Sequence, residues 1–169
     1  MRQLRRGIYT TSPRLASVLL LATMPWVALA TSGAHFFHDT TDSIADNGAL
    51  SIHIDEAGVG QQQVNYTLDI VTATANYACI NGGGKNPSAV NKRTFQSSVA
   101  SGFAETPQNG RVDVTTSING TPLSSDGFSC PSGQTLVLAS VSYSGITLTD
   151  TSNSVSTTLP DVSRTFFTF

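Results

Sequence analysis

Tryptophan is confined to one position near the start, Trp26, so residues 31–169 contain none. They therefore lack the flat stacking surface with which a sandwich face usually holds sugar rings. Tyr66, Tyr77 and Tyr143 read as core or corner residues with wet hydroxyls instead. Charge is also scarce, at 12% of residues. Glutamate occurs only as Glu56 and Glu105, both in expected turns, so no carboxylate pair stands out for glycoside hydrolysis. Gly-x-Ser-x-Gly is absent, which removes the nucleophile elbow. Runs of Lys, Glu, Leu and Ala that build exposed helices are absent too. No EF-hand loop is present, and Asp39, Asp42, Asp46 and Asn47 are too loosely spaced for one. Gly82-Gly83-Gly84-Lys85 departs from the phosphate-loop pattern at Cys79 and Asn86.

The first thirty residues carry the clearest signal. Arg2, Arg5, Arg6 and Arg14 precede the apolar stretch Leu15–Ala30, which Pro25 interrupts and Ala28-Leu29-Ala30 closes. A basic start, a short apolar run and a small-x-small end predict a secretory signal peptide over residues 1–30. The run is short for a spanning helix. Removing it leaves five cations, Lys85, Lys92, Arg93, Arg111 and Arg164, against eleven acids. Such a surface does not suit nucleic acid or anionic lipid, which need clustered cations. No integral membrane segment is expected after cleavage, and no cofactor is implied. The predicted location is extracellular.

What the remaining residues do have is hydroxyl. Ser and Thr number 38 between Thr31 and Phe169. From Gly48 onward the apolar period is two. Leu50, Ile52 and Ile54 alternate with polar neighbours, as do Val64, Tyr66, Leu68 and Ile70. Further strands are expected near Arg93–Phe103, Arg111–Thr116, Gln134–Thr149, Val155–Leu159 and Arg164–Phe169, with a bend or bulge at Ser144-Gly145. Asn-Gly pairs at 47, 81, 109 and 119 mark hairpins or loops. Residues 31–47 read as a polar N-terminal arm, and residues 48–169 as one domain. About seven or eight short strands without an amphipathic helix predict an all-β fold, an antiparallel immunoglobulin-like Greek-key sandwich. Tyr77-Ala78-Cys79 has the Tyr-x-Cys form of immunoglobulin domains, but the core Trp of that superfamily is missing, so architecture and not membership is inferred.

Cys79 and Cys130 form the one cysteine pair, and in an exported chain they predict one disulfide. Two blocks surround it: Tyr77-Ala-Cys79-Ile-Asn-Gly-Gly-Gly84 with Lys85, Asn86, Pro87 and Asn91-Lys92, and Ser129-Cys130-Pro131 with Gly133–Val141. Across Gly48–Phe166 the chain resembles small secreted β proteins of actinobacteria and similar soil bacteria. The resemblance implies export and a disulfide-bonded β domain, and no catalytic residue.

The expected function is non-enzymatic: an exported extracellular or cell-surface protein with a binding or structural role toward an unidentified envelope partner. Its candidate binding loop is Asn81, Gly82, Gly83, Gly84, Lys85 and Asn86, within Asn81–Asn91, or else the loop Asn119–Phe128. One alternative is metal binding by His35, His38 and His53, since imidazoles at such spacing suit zinc or copper. Another is an enzyme whose site the sequence does not reveal.

Overall fold

The alternating pattern folds as two antiparallel sheets in a computed structural model that describes residues 33–81, 91–118, 125 and 127–168. Nine strands lie among these residues: β1 (His35–Phe36), β2 (Thr41–Ile44), β3 (Leu50–Ala57), β4 (Val64–Asn81), β5 (Lys92–Glu105), β6 (Arg111–Ser117), β7 (Gln134–Asp150), β8 (Val155–Leu159) and β9 (Val162–Thr165). In the short sheet β3 is central. β1 and β2 pair end to end along one of its edges, and β6 along the other. In the long sheet the order is β5-β4-β7, with β8 and β9 sharing the far edge of β7. β6 thus returns to β3 across the β4–β5 hairpin, which is a Greek-key connection.

The segment expected as a polar arm, 31–47, is not loose where the structure describes it. β1 and β2 complete the edge of β3, and Ile44 is buried. Thr40 locks the segment, because its hydroxyl donates to Asp55 O and accepts from Asp55 N. An unpaired β3 edge would leave backbone groups without partners, and these residues supply them. The residues read as signal peptide lie outside the described set.

Ile52, Ile54, Leu68, Ile146 and Leu148 meet between the sheets with no exposed surface. Inward parity changes in the long sheet at one place. In β4 it passes from Ile70 to Ala73, in β7 from Ile146 to Tyr143, and the β4–β5 register shifts across the same step. Gly145 sits there at φ 64°, and a Cβ on it would lie 2.7 Å from Val71 Cγ2. Only glycine allows both the turn of the backbone and the outward Val71. This is the expected Ser144-Gly145 bend. A second irregularity leaves Ala139 unopposed, and its carbonyl accepts from both Phe166 N and Phe167 N. That contact ends β9 at Thr165, short of the strand expected to Phe169. Asn109-Gly110 forms the anticipated tight turn, with both residues at positive φ between bridged Gln108 and Arg111.

Cys79 and Cys130 are bonded, with Cα atoms 5.5 Å apart. The bond ties the far end of β4 to the segment that enters β7.

Candidate functional site

The three histidines go to three places. His35 on β1 has Nδ1 2.6 Å from Gly33 O and its ring against Phe37. His38 lines a cavity of about 530 Å³ with Asp42 and Asp161. His53 faces outward from β3, 3.3 Å from Thr115 Oγ1 and 3.9 Å from Asp113. On β3, His35 pairs beside Ala57 and His53 is four positions earlier, roughly 13 Å along the strand. Among the described residues no three His, Cys, Asp or Glu side chains form a group that could hold a metal. The expected constellation of His35, His38 and His53 is therefore not assembled: pairing on β3 keeps His35 and His53 apart, and His38 lies in the turn between β1 and β2.

The early acids also disperse. Asp46 pairs with Arg164 at 2.6 Å, and Asn47 accepts from Ala49 N. Asp42 is held above the usual carboxylate range, chiefly by burial and further by Asp161, while a backbone hydrogen bond opposes the shift. In the expected binding loop, Asn81 ends β4, and Gly82, Gly83, Gly84, Lys85 and Asn86 lie outside the described residues.

Both glutamates depart from the turns that the sequence suggests for them: Glu105 ends β5, and Glu56 follows Asp55 in β3. Asp55 and Glu56 both belong to β3 and both are buried. Asp55 faces the outer side, where Arg111 Nε and Nη2 donate to its two oxygens at 2.8 and 2.6 Å. The Arg111 guanidinium also lies over the Phe37 ring, 5.2 Å from its centroid. Glu56 points inward, and Tyr66 Oη donates to its Oε2 at 2.6 Å. Burial pushes Glu56 up to about 7; the Tyr66 bond opposes this, and the charge and hydrogen bond of Asp150 add to it. Tyr66 is itself raised, first by burial and then by Glu56. Glu56 Oε1 has no donor. A proton on this carboxyl would let it donate to Asp150, whose other contacts are to Ser152 N, Asn153 N and Asn153 Nδ2. The signal for Glu56 was available: Leu50, Ile52, Ile54 and Glu56 share one parity. Nor is the Tyr66 hydroxyl wet as expected, and the Tyr143 hydroxyl donates to Gly48 O in the interior.

The surface that gathers the most polar side chains is the solvent face of the long sheet. Strand pairing sets them in rows: Thr94, Asn76, Ser140 and Thr165; Gln96, Thr74, Ser142 and Ser163; Thr67, Thr149 and Ser156. Asn76 links its row by donating to Ser140 Oγ at 2.9 Å and accepting from Thr94 Oγ1 at 2.6 Å. Gln96 donates to Thr74 Oγ1 at 3.2 Å. Asp69 and Val71 on β4 interrupt this face, and beyond the Asn76 row it continues with Lys92, Ala78 and Val137 and then Ile80 and Thr135. Neighbouring rows on a strand are about 7 Å apart and strands about 4.8 Å apart, so the face is a two-dimensional lattice of hydrogen-bonding groups. No family model matches the chain, and no curated protein or solved structure matches it.

Proposed function

We propose that the chain is an exported protein of the extracellular space or cell surface that works by contact, as a binding or structural component, without catalysis. The observation that carries this reading is the hydroxyl and amide lattice on the long sheet. Such a face offers donors and acceptors together, with almost no charge, to a neutral hydrogen-bonding surface of the cell envelope. Contact of this kind relies on many weak bonds and not on ring stacking. The disulfide supports an oxidising location. So does the signal-like start of the chain, which agrees with the resemblance to secreted actinobacterial proteins. The strand order, with β6 returning to β3, supports an immunoglobulin-like reading of the sandwich.

The test is co-sedimentation of the protein, purified from culture medium, with isolated cell envelope. Thr74→Lys together with Ser142→Lys places two cations in the lattice and is expected to abolish retention. Retention equal to the unaltered protein would overturn the assignment of this face. An intact mass that still includes residues 1–30 would overturn export with cleavage.

A further inference from the structure

β5 is the longest free edge among the described strands, with fourteen residues from Lys92 to Glu105 and β4 as its sole partner there. Edges of this length are normally protected by a proline, a bulge or a central charge. β5 has none of these. Its alternation is unbroken, since the irregularity at Ile70–Ala73 belongs to β4. Its charges sit at the ends, Lys92 and Arg93 at one and Glu105 at the other, and none lies between Thr94 and Ala104.

The inward side chains of β5, in order, are Arg93, Phe95, Ser97, Val99, Ser101, Phe103 and Glu105. This series is symmetric about Val99. Laid antiparallel to a copy of itself, the strand sets Arg93 against Glu105 of the copy, Phe95 against Phe103, Ser97 against Ser101, and Val99 against Val99. The ends match by charge and the middle by kind. A slip of one residue would oppose inward side chains to outward ones. A slip of two would set Phe95 against Glu105 or against Ser101, breaking both the ion pairs and the aromatic pairs. The sequence therefore specifies one register.

The rings are only partly covered, and the Arg93 guanidinium lies over the Phe95 ring, 5.3 Å from its centroid. Phe103 stacks on Tyr66 with centroids 5.4 Å apart, Phe95 meets Tyr77 edge-on at 5.8 Å, and both remain half-exposed. A cavity of about 770 Å³ opens next to this strand's end, between Ala104–Thr106 and β6. Arg93 and Glu105 form no ion pair among the described residues.

We infer that β5 is the interface of a symmetric dimer, pairing antiparallel with β5 of a second copy about Val99. The two-fold axis runs perpendicular to the sheet, so the long sheets of both copies join into one. Each Arg93 bonds a Glu105 of the other copy, giving two symmetric ion pairs, and four phenylalanines line the inner side of the seam. The two hydroxyl lattices then share one face. The inference does not depend on what that face binds.

The test needs no partner. Sedimentation velocity of the purified protein, across a concentration series up to about 1 mM, the weak end of specific association, is expected to show a concentration-dependent dimer. Arg93→Glu and Glu105→Arg each replace two attractions by two repulsions, and each is expected to weaken the dimer about tenfold. Both substitutions together exchange the charges and are expected to restore it. Far-UV circular dichroism of each variant confirms that the strand is retained, since both side chains lie at strand ends away from the buried core. A monomer throughout the series would overturn the inference. So would a dimer insensitive to the single changes, or a double variant as weak as the singles.

Discussion

The long sheet has two halves that are held by different means. In the proximal half, Val64–Ile70 and Ile146–Asp150 lie under the short sheet, and their inward side chains are 0–2% exposed. In the distal half, Thr74–Asn81 and Gln134–Ser142 run past the points where Tyr143 reaches Gly48 and Arg164 reaches Ile44 and Asp46. The inward residues there are small, as Ala75 is, or only half-buried, as Tyr77, Phe95 and Leu138 are. Leu and Ile side chains that bury fully stabilise by about 1.5–3 kcal/mol each, and alanines by far less. The Cys79–Cys130 bond sits in the half with the thinner core. A covalent tie thus takes the place of apolar burial where the described second layer ends.

Two changes of similar size separate the halves. Replacing Cys79 and Cys130 by serine removes a bond spanning 51 residues, which costs roughly 4 kcal/mol in the chain-entropy view. Amide exchange should then accelerate first in Thr74–Asn81 and Gln134–Ser142, while Val64–Ile70 keeps its protection. Leu68→Ala, at a position with no exposure, should cost about 4 kcal/mol by leaving a cavity, and should lower protection throughout. Equal acceleration of both halves in the serine variant would dissolve the distinction.

Next in size is the proximal acid. Glu56 ionises at 4.5 when open to water and at about 7 in the fold. The folded state therefore holds a proton that the unfolded chain releases over that interval. The stability from this group is fully present below about pH 4.5 and is lost as pH rises toward 7, a swing of about 3 kcal/mol. Glu56→Gln keeps an acceptor for Tyr66 and removes the titration. Urea midpoints of the original chain should fall between pH 5 and pH 8, and those of the variant should change little. A parallel fall in both would assign the pH dependence elsewhere.

The smallest effect lies at the joint between the halves. Gly145→Ala puts a Cβ against Val71 at positive φ and should cost about 2 kcal/mol. Adding Val71→Ala removes the 2.7 Å approach to Cγ2 but keeps the 2.8 Å approach to Cβ and the backbone strain, so only a small part of the loss should return. Thermal melts of the two variants measure the difference.

Much of the fold could be read directly from the residues. The alternation in Leu50–Ile54, Val64–Ile70 and Gln134–Thr149 marks β3, β4 and β7, and Asn109-Gly110 and Ser144-Gly145 mark a turn and a bend that occur where expected. These signals are local, because side chains two apart on a strand share a face whatever the strand pairs with. The misread places share a different property. Residues 35–44 look polar and loose because their order comes from the edge of β3, and Glu56 looks like a turn residue because its burial depends on Tyr66 and on Asp150, which lies far along the chain. His35 and His53 stay apart for the same reason, since sheet register fixes their places along β3.

The sequence by itself therefore determined the strand character of the chain, the one cysteine pair available to bond, and the symmetry of the residues in β5. Only the tertiary structure decided which edges are covered, which carboxylates lose their water, and that the charge-free middle of β5 is an open edge among the described strands. Alternation and turn chemistry act between near neighbours, whereas burial and edge exposure depend on what distant segments pack alongside.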